Sequence, residues 1–147
     1  MNIEESVEIQ AGRDKVWDII SDLSKERDYW HSIKEVRVIS QNENIIEREV
    51  LQNFSGGKVL QKVVLHPKNS VEFFNLRGSM KGTKVLFIEP ITEGITKLTA
   101  AWHVKLSLSF LLFAPIVKKH IREGTRNALK RIKAVCEGRE EELFEAE

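Results

Sequence analysis

The chain has 147 residues, of which 41% are hydrophobic and 31% charged, a composition typical of an ordinary globular protein. This length allows one domain with a buried core or an enclosed pocket. The net charge of +1 gives no general electrostatic attraction to nucleic acid, and the single cysteine, Cys136, excludes an internal disulfide.

The N-terminal part of the chain is predicted to form a strand followed by two short helices. Apolar and polar residues alternate across Ser6–Ala11, which is typical of a half-buried strand. Asp14 is placed to cap the helix that follows. Residues 23–32 are predicted to form a second short helix or a turn, which carries Tyr29 and Trp30.

The middle of the chain is predicted to form six strands joined by short polar connections. Such short connections favour antiparallel neighbours, because parallel strands need long crossovers. One of the connections, Ser55–Gly57, is predicted to be a hairpin turn. The predicted strands are Ile33–Gln41, Asn44–Gln52, Lys58–His66, Ser70–Arg77, Thr83–Glu89 and Ile95–Leu108.

A long amphipathic helix is predicted at Pro115–Cys136. Its apolar residues recur three, four or seven positions apart and form one stripe, while lysines and arginines cover the rest of its surface. Gly124 lies near the stripe and costs ~1 kcal/mol relative to alanine. Close packing against a bulky strand residue is the favoured explanation for Gly124, and an open space opposite it is the alternative.

These elements together predict an α+β fold in which a seven-stranded curved antiparallel sheet wraps around the C-terminal helix. A curved sheet and a helix need not meet everywhere, so we expect a cavity between them. Trp102 and Gln61 are assigned to the helix-facing side of their strands. A single domain is expected over residues 1–138, and the acidic residues 139–147 are expected to form a frayed tail.

Three segments carry a likeness to a known family: Val7–Asp22 with its Val-Trp pair, Asp28–Val36, and Phe110–Lys133. In this order they resemble the START-like, helix-grip superfamily (SRPBCC, Bet v 1-like), in its polyketide cyclase/dehydrase or coenzyme Q-binding (Coq10-like) branch. The likeness extends to about Gly138 and departs at Tyr29, where many relatives carry proline. It implies a helix-grip fold but not one activity, since the superfamily includes lipid carriers, ligand sensors, cyclases and hydrolase-like members.

We predict that the cavity binds a hydrophobic small molecule such as a lipid, an isoprenoid quinone or a polyketide-like compound. Apolar side chains would form its walls. Gln61 and Asn75 would be its polar anchors, because a buried amide needs a partner that a ligand oxygen can supply. The predicted ligand-binding residues are Trp30, Gln61, Val63, Phe73, Asn75, Phe87, Trp102, Ile121, Gly124, Thr125 and Ala128.

Several of these positions have a purely structural alternative. Trp30 is equally consistent with a cap over a ligand and with a plug at one end of the sheet. Core filling is the favoured role for Trp102, because protein interiors are packed nearly without voids. For Arg48, a position at a sheet edge or a pair with a nearby glutamate is favoured over an inward, ligand-facing position.

Two other functions remain open. One is an aromatase/cyclase-like enzyme in the same cavity, which requires an inward ionisable group. The other is a protein-interaction module with a filled core, which would use the basic face of the helix. No catalytic residue is assigned, because no catalytic triad or Gly-rich phosphate loop can be argued from the sequence, and an enzyme is therefore the less favoured interpretation.

No metal or cofactor is expected, because the four histidines lack the spacing of metal ligands. Nucleic acid is not an expected partner, since aromatic residues do not interleave the basic helix. No apolar run reaches the about 20 residues that cross a bilayer, and no secretory leader opens the chain, so we expect a cytoplasmic protein. Nothing in the sequence indicates an oligomeric state.

One apolar segment, Leu111, Leu112 and Phe113, lies at the predicted corner between the last strand and the helix. Burial at the base of the core is favoured, because large exposed apolar patches are uncommon on globular proteins. The alternative is peripheral contact with a membrane, helped by Lys118 and Lys119.

Overall fold

The computed structural model describes residues 1–53, 57–78 and 80–141, and their strands form one antiparallel sheet. The strands are β1 Asn2–Ile9, β2 Ile33–Asn42, β3 Ile45–Gln52, β4 Lys58–His66, β5 Ser70–Arg77, β6 Met80–Thr92 and β7 Ile95–Leu106. The helices are α1 Arg13–Ser21, α2 Glu26–Tyr29, α3 Leu108–Leu111 and α4 Ala114–Cys136, with a 3-10 turn at Leu23–Lys25.

The strand order across the sheet is β1-β7-β6-β5-β4-β3-β2. Each strand therefore pairs with its neighbour in sequence, except that β1 pairs with β7. This arrangement confirms the predicted fold class, a curved antiparallel sheet with a long C-terminal helix. The predicted hairpin turn at Ser55–Gly57 falls largely on residues 54–56, which lie outside the described residues, as do residues 142–147 of the predicted tail.

The start of the chain differs from the prediction in two details. The first strand begins at Asn2 rather than Ser6, because Ile3 is buried opposite Trp102 of β7 and extends the pairing. Asp14 does not cap α1; Gly12 is the N-cap residue, and no side chain caps the helix there. The Asp14 carboxylate instead accepts a hydrogen bond of 2.8 Å from Lys68 Nζ.

The apolar stripe of α4 is buried in two separate clusters. Ala128 and Ile132 belong to the main cluster between sheet and helices, and Val117 and Ile121 belong to a smaller one near the start of α4. Trp102 packs against both. The two clusters leave a gap between them on one side of the helix, and the candidate site lies at this gap.

Two rows of inward-facing residues cross the sheet in register, one mainly apolar and the other mainly polar. The first row runs through Ile46, Val63, Phe73, Lys84 and Trp102. The second row, two residues away on each strand, runs through Arg48, Gln61, Asn75, Gly82 and Val104. Each row thus places charged or polar side chains directly beside buried apolar ones.

The corner between β7 and α4 corrects a sequence-based prediction. Leu112 is 88% exposed and Phe113 is 53% exposed, so the favoured burial of this segment is wrong. The helix here, α3, is only one turn long and presents no continuous apolar face to the core. The corner surface, as we name it, consists of Leu108, Leu111, Leu112, Phe113 and Ile116.

Candidate functional site

A cavity of about 250 Å³ lies between the sheet and the middle of α4. Five of the residues predicted from the sequence line it: Trp30, Trp102, Ile121, Gly124 and Thr125. The other lining residues are His31, Ser32, Gln52, Asn53, Met80, His120, Asn127 and Arg131. Wider clefts of about 570 and 530 Å³ open around α1 and α2, but charged side chains such as Asp22 and Arg27 line them.

Gly124 is an exposed residue that lines this cavity. A methyl group built at its Cα would meet no atom within 4 Å. Close packing against a strand residue, the favoured explanation from the sequence, is therefore wrong. The alternative explanation fits, since the absence of a side chain here leaves room in the cavity wall.

The two tryptophans form the inner wall and hold each other in place. Their ring centroids are 6.2 Å apart with an interplanar angle of 68°, an edge-to-face contact. The indole Nε1 of Trp102 donates a hydrogen bond of 3.0 Å to Thr125 Oγ1, which itself donates to the Ile121 carbonyl at 2.6 Å. The indole nitrogen of Trp102 is therefore paired within the protein, and the free surface of this wall is mostly aromatic.

The remaining predicted residues do not line the cavity. Val63, Phe73 and Ala128 are buried in the main core cluster. Phe87 lies on the opposite face of β6, because its neighbours Leu86 and Ile88 point into the core. Apolar residues occupy both faces of β6, so the sequence pattern alone assigns the wrong phase there.

Gln61 and Asn75 face inward as predicted, but they are bound within the protein. Gln61 Oε1 accepts a hydrogen bond of 2.8 Å from Arg48 Nε, and Gln61 Nε2 donates one of 2.8 Å to Asn75 Oδ1. Asn75 Nδ2 donates to the Met80 carbonyl at 3.3 Å. These bonds follow the polar row across the sheet and leave neither amide as a free ligand anchor.

Arg48 anchors this polar row. The sequence favoured a position at a sheet edge or a pair with a nearby glutamate; Arg48 does pair with a glutamate, but the pair is buried and its partner is Glu26 of α2. Arg48 is only 1% exposed, and its two terminal nitrogens donate to the two carboxylate oxygens of Glu26 at 2.7 and 2.9 Å. Such a two-point geometry is the strongest arrangement of an arginine–carboxylate pair. The pair fixes α2, and with it Trp30, over the concave face of the sheet.

Lys84 is a buried cation that sequence reasoning did not identify. It is 6% exposed, and its Nζ lies 3.6 Å from the ring centroid of Trp30, 4.3 Å from that of Phe73 and 5.1 Å from that of Trp102. Among the described residues it has no hydrogen-bond or ion-pair partner. The three rings attract the ammonium through their π-faces and offset part of the cost of its burial.

Burial lowers the pKa of Lys84 to about 8, with Glu26 raising it and Arg48 lowering it to smaller extents. In the unfolded chain, a lysine pKa is about 10.4. Between these two values the unfolded chain binds more protons than the folded protein. The Lys84 contribution to the free energy of unfolding therefore rises as the pH increases from about 8 to about 10.

A Lys84→Met substitution tests this linkage. We expect the variant to be more stable than the wild type at pH 7, by up to roughly 3 kcal/mol, because it removes a buried charge without leaving a cavity. The difference should shrink as the pH rises from about 8 to about 10. Urea unfolding of both proteins across this range measures it, and a difference that is independent of pH would contradict the assignment.

Cys136 is a weaker candidate than Lys84 for a reactive group. Burial raises the pKa of the Cys136 thiol to about 12, so the side chain acts as a packing residue and not as a nucleophile. Within the described ranges, no group of three or more His, Cys, Asp or Glu side chains could hold a metal ion. In the same part of the chain, no helix has the length and apolar character needed to cross a bilayer.

The sequence matches the family described as polyketide cyclase/dehydrase and lipid transport over residues 1–137. The chain belongs to this family. No curated protein sequence matches it. Membership of the polyketide cyclase/dehydrase and lipid transport family confirms the START-like resemblance drawn from the three sequence segments.

Solved structures share the fold of this polyketide cyclase/dehydrase family member. A protein of Thermus thermophilus is 18% identical, with a TM-score of 0.77 over 99% of each chain. A START superfamily protein from Mycobacterium smegmatis is 20% identical, with a TM-score of 0.70 over 97% of this chain and 98% of that one. The Zhui aromatase/cyclase from a Streptomyces species is 15% identical, with a TM-score of 0.62 over 99% of this chain and 93% of that one. At such identities the likeness establishes the fold alone.

Proposed function

We propose that this member of the polyketide cyclase/dehydrase and lipid transport family binds a hydrophobic small molecule in the cavity beside Gly124. The observation that supports this most strongly is the open space against a wall of two indole rings, of which the Trp102 ring has its nitrogen already paired with Thr125. A lipid chain, an isoprenoid quinone or a polyketide-like ring system has the required apolar surface.

The size of the cavity limits the expected affinity. Burying about 200 Å² of apolar ligand surface contributes roughly 5 kcal/mol at about 25 cal/mol per Å². Ordering the ligand and losing its free motion opposes this gain. We therefore expect dissociation constants in the micromolar range or weaker for compounds of two fused rings, and tighter binding only for ligands that extend beyond the cavity.

Titration with N-phenylnaphthylamine tests the proposal, since this uncharged probe fluoresces strongly only in apolar surroundings. We expect a saturable increase with one site per chain, reversed by competing quinones or fatty acyl compounds. An increase that is linear with probe concentration and insensitive to competitors would contradict a defined site.

An aromatase/cyclase-like enzyme is the second candidate. Lys84 favours it, because a buried amine with a pKa of about 8 can exchange a proton near neutral pH. Conversion of a hydrophobic polyketone by the wild type, with loss of conversion in Lys84→Met, would support catalysis. Saturable binding without conversion would support the carrier function.

The corner surface supports a further part of the proposal, contact with an anionic membrane. Its five exposed apolar side chains adjoin Lys118 and Lys119, which are also exposed and attract anionic headgroups. Ile116 lies one helical turn from His120, a lining residue of the cavity. A ligand leaving a bilayer at this corner would therefore have a short path to the site.

Flotation with vesicles of phosphatidylcholine and phosphatidylserine tests this contact. We expect the protein to float with them at low salt, and binding to fall severalfold as salt increases or in Leu112→Asp. Ile91→Asp is the control, because Ile91 is also an exposed apolar residue, 49% exposed against 88% for Leu112, but lies outside the corner surface. Membrane contact would be contradicted if all three proteins floated equally or if the wild type did not float. If the wild type self-associates and Leu112→Asp abolishes this, the corner surface is a dimer interface instead.

A further inference from the structure

Among the residues that the structure describes, none is an anionic partner in direct contact with Lys84 Nζ. The nearest carboxylate that influences it, Glu26, already accepts hydrogen bonds from Arg48 on both of its oxygens. Buried polar groups are nearly always paired, and a buried ammonium without a hydrogen-bond acceptor is costly even among aromatic rings. The interior therefore contains one cation whose donors have no acceptor among the described residues.

The position of Lys84 connects it to the cavity. Trp30 and Trp102 line the cavity and also contact Lys84 Nζ, at 3.6 and 5.1 Å from their ring centroids. The ammonium therefore contacts the same two indole rings that form the inner wall of the cavity. Trp30 is the residue after the last turn of α2, and its ring covers Nζ.

The charges around the cavity give an independent indication of its ligand. No aspartate or glutamate is among its described lining residues, whereas the cationic Arg131 is. Arg131 is fixed by a hydrogen bond of 2.9 Å from Nη1 to the Tyr29 carbonyl. With Lys84 in contact with the wall, the site is electropositive and has an apolar surface, which is complementary to an amphipathic anion.

We propose that Lys84 binds the acidic oxygen of an amphipathic ligand, a carboxylate or an ionised enol, whose apolar body lies against Trp30, Trp102 and Ile121. This inference rests on the proposed function and names the class of its ligand. The ligand oxygen supplies the acceptor that the ammonium lacks, and the Trp30 ring moves aside to admit it. An ammonium–carboxylate hydrogen bond in an apolar site is charge-assisted and discriminates against an uncharged ligand of the same shape.

A matched pair of probes tests the inference: naphthoate and its uncharged amide, naphthamide, each displacing N-phenylnaphthylamine. We expect wild-type protein to bind naphthoate at least about tenfold more tightly than naphthamide at pH 7. In Lys84→Met this preference should fall to about one, while naphthamide binds as in the wild type. Lys130→Met, a charge removal at an exposed position of α4 outside the cavity lining, should keep the preference.

The pH dependence provides a second readout. The preference should decline as the pH rises through about 8, where Lys84 loses its proton. The other charged groups around the site are Glu26 and Arg48 beside Lys84, and His31, His120 and Arg131 in the lining. A preference that survives in Lys84→Met would assign the recognition to those lining residues and overturn the proposal, as would equal binding of the two probes by the wild type. Failure of both probes and of N-phenylnaphthylamine would overturn the proposed function itself.

Discussion

Gly124→Leu is expected to abolish the binding of N-phenylnaphthylamine while leaving the protein folded. The position lines the cavity and a Cβ built there meets no atom within 4 Å, so a leucine has room to occupy the space opposite the tryptophans. Removing a glycine from the interior of α4 also gains up to ~1 kcal/mol in helix propensity. We therefore expect loss of the saturable fluorescence signal together with an unchanged or slightly higher melting temperature.

Two control variants separate cavity filling from other effects of this substitution. Gly124→Ala gives a similar gain in helix propensity but adds only one carbon, so it should bind the probe within a fewfold of the wild type. Lys130→Leu adds leucine to an exposed part of the same helix and should bind normally. Wild-type affinity in Gly124→Leu would show that the ligand lies elsewhere.

Arg48→Ala is expected to lower the free energy of unfolding by about 3–5 kcal/mol, the typical cost of leaving one member of a buried ion pair unpaired. The substitution removes four contacts at once: the two hydrogen bonds to Glu26, the bond to Gln61 and the cation–π contact with Phe73, whose ring centroid is 5.6 Å away. Urea unfolding monitored by tryptophan fluorescence measures the loss.

Another arginine–glutamate pair of the same sheet is the matched control. Arg37 donates to Glu49 at 3.3 Å, but the arginine side chain is 69% exposed. Exposed pairs contribute about 0–1 kcal/mol, so Arg37→Ala should change stability little. A double variant, Glu26→Leu with Arg48→Met, should regain most of the stability lost in Arg48→Ala, because no charge is then left unpaired. Equal effects of Arg48→Ala and Arg37→Ala would contradict the buried pair.

The fold was predictable because its signals are local. Short polar connections and alternating residues identify the antiparallel strands, and the apolar stripe of α4 requires a sheet to cover it. The bounds of β4 and β5 agree with the prediction to the residue. The overall likeness to the START-like family also rests on short segments that remain recognisable in order.

The chemistry of the interior was less predictable, because it depends on which charged residues point inward. Lys84 lies on a strand with apolar residues on both faces, so the sequence pattern does not show which face carries it. Arg48 is buried only because Glu26 reaches it from a helix 22 positions earlier in the chain. The sequence did contain one indication that Arg48 is buried: it lies between Ile46 and Val50, two positions from each, and therefore shares their face of β3.

The predicted burial of the apolar corner segment was wrong for a related reason. A run of apolar residues usually indicates burial, but burial needs an opposing surface. At Leu111, Leu112 and Phe113 the chain turns from β7 into α4 through a single helical turn, and these side chains remain exposed. An apolar segment of this kind can therefore be buried in the core or exposed on the surface, depending on whether another element of the fold packs against it.

The most direct test of a hydrophobic-ligand protein is native mass spectrometry of wild type and Gly124→Leu, both purified without organic solvent. We predict that the wild type carries a defined hydrophobic adduct, or takes one up from a mixture of fatty acids and quinones, and that the variant does not. Denaturing both samples and identifying the released compound then gives its chemical class. A wild type that carries no adduct and acquires none, or a variant with the same adduct, would contradict binding in the cavity beside Gly124.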